Sequence, residues 1–262
     1  MIPKIIHYVW VGDDKKPELV KKCIASWQQH CPDYQIMQWG NSSLKDITNA
    51  YVQQAFACKK WAFVSDYLRL YALKNFGGVY CDSDLEITNN IDQFLRDDFL
   101  TGYENYRGVI SPMTALMAAS ENNDIISDLL SEYDNINFFV DGKMDLTTNV
   151  TRTASYFANR FALNEPYNGE NITILKDKAI LYPYYYFCTA TSGKVNFAIH
   201  HFSGSWVEHY RREDVFSFLG YSFIKIKILQ PFTNKPLPLA TNEKVIFTLK
   251  NNKKSKYFII KK

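Results

Sequence analysis

Residues Lys60 to Glu86 read KWAFVSDYLRLYALKNFGGVYCDSDLE. The spacing predicts an amphipathic helix from about Trp61 to Asn75, a stop at Gly77-Gly78, a short strand Val79–Cys81, and two aspartates at the strand's end. That order puts Asp82 and Asp84 outside the carboxyl end of a strand, where an open α/β sheet offers its ligand site. Two hard oxygen donors converging there suit a divalent cation carrying a diphosphate. An Asp-x-Asp pair alone arises easily by chance, so its context carries the weight. Here the preceding helix also holds Asp66 and Arg69 three residues apart on one face. The bland reading of that pair is a local ion pair. The functional one is a carboxylate for base or ribose hydroxyls and a guanidinium for phosphate.

Upstream, Lys4 to Val11 (KIIHYVWV) is β-branched and aromatic and stops at Gly12, which predicts a first buried strand. Pro17 opens a segment of helical spacing to Trp27. Asp33 to Trp39 reads as a second strand, and Tyr51 to Ala57 as a helix. Strand–helix–strand–helix–strand in this order predicts an α/β fold built on an open, mostly parallel sheet flanked by helices. Downstream, Phe99–Glu104, Ile172–Leu175 and Val195–His201 read as strands, Asn123–Tyr133 as a helix, and Met113–Ala119 as an apolar run of either type. The expected boundary lies at Gln230-Pro231. Residues 1–230 form the main domain, and 231–262 a basic tail whose KVIFTLK and SKYFIIK segments suit a β-hairpin.

The chain has 262 residues and is 47% hydrophobic, enough for one substantial core. Residues 241–262 carry seven lysines against one glutamate, leaving 23 basic against 26 acidic residues elsewhere. The body is therefore no nucleic-acid binder on electrostatic grounds, while the tail suits either an anionic membrane surface or a solvated lysine-rich end. Five cysteines without a C-x-x-C pair argue for reduced thiols and against a zinc site. The N-terminal MIPKIIHYVWVGDD has no signal-peptide pattern, and no apolar run is long enough to span a bilayer. The expectation is a cytoplasmic protein, either soluble or peripheral at the inner face of the plasma membrane.

Three blocks together carry a family resemblance: IPKIIHYVWVG, the central WAFVSDYLRLYALKNFGGVYCDSDLE, and AIHHFSGSW. The chain resembles the DXD-containing sugar-binding glycosyltransferases of family 32. These include polysaccharide-building bacterial enzymes and are similar to the glucosylating domains of large bacterial toxins. The resemblance spans residues 2–206. It implies a GT-A fold, a nucleotide-sugar donor with UDP favoured, Mn²⁺ or Mg²⁺, and retention of anomeric configuration. Trp10 would stack on the base, with Val9, Tyr80 and Ser83 lining the donor. Asp66 and Arg69 would meet nucleotide and sugar. Asp82 would touch ribose and metal, Asp84 the metal directly, and Ser205 and Trp206 the leaving diphosphate. In metal-dependent relatives one late-strand histidine completes the metal shell. His200 and His201 point to opposite sides of their strand, so at most one does so. The HFSG run favours His201, and the aromatic two positions after His200 favours the other.

The implied reaction transfers a hexose to a glycan or lipid-linked glycan acceptor during surface or capsular polysaccharide synthesis. No residue is marked as the base for the acceptor hydroxyl. Glu104, Asp145 and Asn149 lie in segments able to border the sugar, and TTNVTRT departs from the glycine-proline pattern of relatives. Two other readings use the same residues: sugar-phosphate transfer at the same metal site, and a non-catalytic sugar-nucleotide or glycan-binding module. A protein-glycosylating effector is a weaker fit. Absent G-x-x-x-x-G-K-[ST], G-x-G-x-x-G and G-x-S-x-G motifs exclude the common P-loop, dinucleotide and hydrolase patterns.

Overall fold

The first strand, β1 (Ile5–Val9), already shows how the sheet is sandwiched. Ile6 and Tyr8 enter one apolar cluster and Val9 the other, as the two-residue period of a strand buried on both faces requires. The computed structural model describes residues 1–12, 15–106, 108–176, 178–203, 210–218, 221–228, 243–251 and 254–261. They fall into two units, Met1–Ser203 and Gly204–Lys262.

In the first unit, β1 is followed by α1 (Glu18–His30), β2 (Gln35–Trp39), α2 (Ala50–Ala57), α3 (Trp61–Phe76), β3 (Gly78–Cys81) and β4 (Leu85–Ile87). Then come β5 (Phe99–Tyr106), β6 (Val109–Ala119), α4 (Asp124–Ser131), the short pair β7 (Phe139–Val140) and β8 (Lys143–Met144), and α5 (Asn149–Phe161). The unit ends with β9 (Thr173–Lys176), β10 (Ala179–Tyr182), α6 (Tyr184–Phe187) and β11 (Ala198–His200). Seven strands form one sheet in the order β2-β1-β3-β6-β5-β10-β9. Five of them point the same way. Only β6 and β9 run against their neighbours, so the α/β sheet is mostly parallel, as expected.

The helix α3 lies against this sheet and is buried on most of its circumference, Asp66 and Arg69 included. It ends at Gly77, whose φ is 60°. A Cβ there would sit 2.7 Å from the Glu121 amide nitrogen, and one on Gly78 (φ 102°) 2.7 Å from the Ile5 carbonyl oxygen. The double glycine is thus what lets the chain leave α3 and enter β3 between β1 and β6. After the Asp82–Asp84 turn, β4 leaves the main sheet and pairs antiparallel with β11, His200 opposite Leu85.

The second unit holds a four-stranded antiparallel sheet of β12 (Tyr210–Phe218), β13 (Tyr221–Ile228), β14 (Glu243–Asn251) and β15 (Lys254–Lys261), in the order β12-β13-β15-β14. The hairpin read in the tail is present as β14 and β15. The expected boundary at Gln230-Pro231 lies outside the described residues, and the two units divide at 203/204. The β12–β13 ladder is continuous with the hairpin through β13–β15 pairing, a long-range contact that sequence does not display. Among the described residues no helix is long and apolar enough to cross a membrane.

Candidate active site

The site is built where β3 ends. Asp82 leaves the strand with its amide donating to the Ala115 carbonyl, 2.7 Å away, and the Leu85 amide closes the turn onto the Asp82 carbonyl at 2.9 Å. Asp84 sits at the far side of that turn. The Ser203 amide donates to Asp84 Oδ2 at 2.8 Å, and the His201 amide to the Asp84 carbonyl at 3.1 Å. The β4–β11 pairing therefore brings the late strand back onto the aspartates.

Asp82, Asp84 and His200 each offer one ligand atom, and these atoms lie within 4.8 Å of one another. Two carboxylates and an imidazole are a donor set for a borderline-hard divalent cation. His200 Nε2 is 3.5 Å from Asp84 Oδ1, its ring packs on Phe202 with centroids 4.0 Å apart, and its buried Nδ1 makes no hydrogen bond. An imidazole so placed fits a ligand role. His201 does not join the group: its Nε2 lies 2.8 Å from Glu86 Oε2, a carboxylate oxygen that Lys22 also reaches. Strand alternation turns the two rings apart, and the β4 register puts His200 beside the aspartates and His201 beside Glu86.

Behind the aspartates, Arg69 is clamped. Its Nη2 is 3.1 Å from Asp66 Oδ1 and 3.3 Å from Asp82 Oδ1, and Nη1 donates to the Thr114 carbonyl at 2.7 Å. The guanidinium lies over the Tyr80 ring, 4.6 Å from its centroid. Burial works against the Arg69 charge, and Asp82, Tyr80 and Asp66 more than restore it. Burial also drives the Tyr80 phenol well above its ordinary range, so it stays a donor. It donates to Asp82 Oδ1 at 2.7 Å and accepts from Ser65 Oγ at 2.8 Å.

Burial pushes the Asp66 carboxyl up to about 6, against Arg69 and with the help of Asp82. Asp84 behaves oppositely. Burial would raise it, but the His200 side chain and the Ser203 amide hold it well below the usual carboxylate range. The site therefore carries a carboxylate stabilised in its ionised form beside a buried ion pair.

Of the other residues singled out in the sequence, Val9 is buried and Trp10, half-buried, follows β1 with its amide on the Trp39 carbonyl. Ser83 is the middle of the aspartate turn. Ser205 and Trp206 lie outside the described residues. Asn149 heads α5, its Oδ1 accepting from Thr114 Oγ1 at 3.0 Å. Asp145 pairs with Arg152 on the same helix. Glu104 is in the site: its Oε2 is 3.9 Å from His200 Nδ1, and Ser111 Oγ donates to Oε1 at 3.1 Å. Ser65 and Thr114 are structural partners that the sequence reading missed. Ser65 was findable, four residues before Arg69 on the same helix face. Thr114 left no local signal.

Over 192 residues the chain is 23% identical to an "uncharacterized glycosyltransferase L373" of Acanthamoeba polyphaga mimivirus, covering 70% of this chain and 74% of that protein. Among solved structures, the PaToxG glycosyltransferase is similar at 25% identity and a TM-score of 0.41, over 50% of this chain and 59% of that one. A glycosyltransferase involved in glycosylation of the major capsid of PBCV-1 is similar at 12% identity and a TM-score of 0.44, over 78% and 95%. Residues 1–139, just over half of the 262, match the model of the family described as capsular polysaccharide synthesis protein. The chain belongs to that family of capsular polysaccharide synthesis proteins, as a glycosyltransferase.

Proposed function

We propose that the chain is a retaining, metal-dependent glycosyltransferase of the GT-A, family 32 kind, moving a hexose from a UDP-sugar to a glycan acceptor. The observation that carries this reading is the Asp82–Asp84–His200 donor set at the carboxyl end of β3, backed by the Arg69 clamp. Those three side chains would hold Mn²⁺ or Mg²⁺. A divalent cation there supplies Lewis-acid stabilisation of the charge that develops on a leaving diphosphate.

The protein's own residues do the rest by being fixed beforehand. Tyr80 and Arg69 lock Asp82 in one orientation. Glu104 Oε2 lies 3.9 Å from the other ring nitrogen of His200, beyond hydrogen-bond reach, and sets a negative charge behind the ring whose Nε2 faces Asp84. Arg69, desolvated and held by Asp66, presents fixed positive charge beside the aspartate pair. Trp10 supplies an apolar face for the base, and Ser205 and Trp206 are the proposed donors to the diphosphate. In the transfer, the anomeric carbon's bond to the diphosphate oxygen breaks and its electron pair stays on the diphosphate. A bond to the acceptor oxygen forms, and the hydroxyl proton leaves with the diphosphate or to solvent. The lysine-rich end is assigned to an anionic membrane surface, placing the reaction at the inner face of the plasma membrane, where a lipid-linked glycan is at hand.

The test is a donor-hydrolysis screen of UDP- and GDP-sugars with Mn²⁺ and with chelator. Metal-dependent release of UDP from one donor is expected. No release from any donor, together with no metal-linked donor binding by calorimetry, overturns the reading.

A further inference from the structure

The geometry points to a second carbohydrate subsite, a cavity between residues 46–50 and α3 that takes an uncharged glycosyl residue of the acceptor chain. The inference rests on the glycan-acceptor reading above. The cavity has a volume of about 390 Å³ and is lined by Asp46, Thr48, Tyr67, Tyr71 and Asp134 among others. That lies within the roughly 300–1,000 Å³ typical of small-ligand pockets.

The cavity is separate from the metal centre. Tyr67 and Tyr71 each stand two positions after Ser65 and Arg69 on α3, about 200° further round the helix. The donor-side residues and the tyrosines therefore leave opposite sides of the same helix. The Tyr67 ring is fixed, edge-on to Tyr133 at 5.8 Å and stacked with Tyr71 at 6.1 Å and 23°.

Tyr67 is only 7% exposed, yet among the described residues its hydroxyl has no hydrogen-bond partner. It is not sealed in the core either, unlike the hydroxyls of Tyr51 and Tyr133. A fixed, nine-tenths buried donor that lines a cavity and has no partner among the described residues is arranged for something outside them. The carboxylates of Asp46 and Asp134 likewise make no ion pair or hydrogen bond among the described residues.

The chemistry of the lining selects the ligand. Tyrosine faces take the C–H face of a pyranose, the phenol donates, and two carboxylates accept from ring hydroxyls. With two carboxylates and no cation in the lining, phosphate, nucleotide and uronate are repelled. Between anionic and uncharged sugars, the uncharged one remains. A site of this kind away from the transfer centre tethers a polymer and raises the local concentration of its growing end.

The experiment is saturation-transfer NMR on the full chain in EDTA, which leaves the metal centre unloaded. The probes are methyl glycosides of glucose, galactose, mannose and N-acetylglucosamine, with glucuronate and glucosamine as charged comparators. At least one neutral glycoside is expected to bind, and Tyr67→Phe with Asp134→Asn to weaken it at least tenfold. The phenylalanine keeps the ring packing, so circular dichroism should not move. No neutral glycoside binding, binding of glucosamine alone, or equal binding by the variant overturns the subsite. Donor hydrolysis by the unaltered chain reports on the transferase reading separately, so the two fail independently.

Discussion

His200 Nδ1 lies 3.9 Å from Glu104 Oε2, while Nε2 of the same ring lies 3.5 Å from Asp84 Oδ1. The imidazole thus lies between a carboxylate of the proposed metal shell and a buried carboxylate behind it, the latter beyond hydrogen-bond distance. A carboxylate so placed, once it closes to hydrogen-bond distance on metal binding, fixes the ring and raises its basicity as a ligand, and its loss lowers metal affinity about 10–100-fold. Glu104→Gln is expected to raise the Mn²⁺ dissociation constant by that factor in calorimetry without donor. Glu104→Asp should recover part of the loss. Unchanged affinity in Glu104→Gln would show that the ring needs no such support.

Asp84→Asn isolates the metal from the fold. The amide keeps the shape and can still accept from the Ser203 amide, but it gives up the charge that His200 and that amide stabilise. Metal-dependent donor hydrolysis should fall about 10²–10³-fold, the scale of losing one fixed electrostatic stabiliser of the transition state. A glycan-binding module would instead show no hydrolysis to lose and an unchanged affinity for sugar.

Arg69 holds Asp66 and Asp82 together from a position with 5% of its side chain exposed. Removing one member of a buried ionic group leaves its partners desolvated and unpaired, at a cost of about 3–5 kcal/mol. Arg69→Ala should lose that much in urea unfolding. Asp66→Asn should lose less, since the Arg69 charge then keeps Asp82. A loss under 1 kcal/mol for Arg69→Ala would mean that water reaches the clamp.

The path from α3 through Gly77-Gly78 into β3 was legible because each step has a local cause: helical spacing, a positive-φ stop, and an apolar run. Asn123 was legible as the start of α4, whose first amides its side chain accepts from. β6 was ambiguous because its direction depends on two neighbours, and Pro112 interrupts the strand opposite Tyr103, where the ladder shifts register. α5 was missed. Its first turn is rich in β-branched and polar residues, and it buries only Asn149, Thr153 and Phe157, a narrow stripe. Which of His200 and His201 lies beside the aspartates depends on the β4–β11 register, which no local pattern contains.

His7 gives the chain a pH-dependent stability independent of the proposed metal. Its Nε2 donates to the Gly77 carbonyl at 2.8 Å, and Nδ1 accepts from Trp39 Nε1 at 3.2 Å. Both nitrogens are satisfied only in the neutral ring, since protonating Nδ1 sets two donors against each other. Burial holds its pKa below the ordinary 6.5, against the Gly77 carbonyl. Between that lowered value and 6.5 the unfolded chain binds more protons, so stability falls as pH drops, by up to about 1.4 kcal/mol per unit. Above 6.5 the contribution is constant. Urea unfolding from pH 5 to 8 should show this slope, and His7→Gln should flatten it. An unaltered slope in the variant would assign the effect to other groups.

The proposed membrane contact is best tested by charge and not by truncation. Deleting residues 241–262 removes β14 and β15, and β13 pairs with β15 along six positions, so the second unit would lose half its sheet. Any change in fractionation would then report unfolding. Lys244→Gln and Lys254→Gln keep the strands and remove two of the seven lysines. Each lysine near an anionic surface contributes about 1 kcal/mol, roughly fivefold in partitioning. The double variant should therefore bind phosphatidylserine-containing vesicles roughly 25-fold more weakly, with the difference shrinking as salt rises. Neither protein should bind phosphatidylcholine vesicles through this term. If both partition equally onto anionic vesicles, the lysines are a solvated surface and the acceptor must reach the enzyme without them.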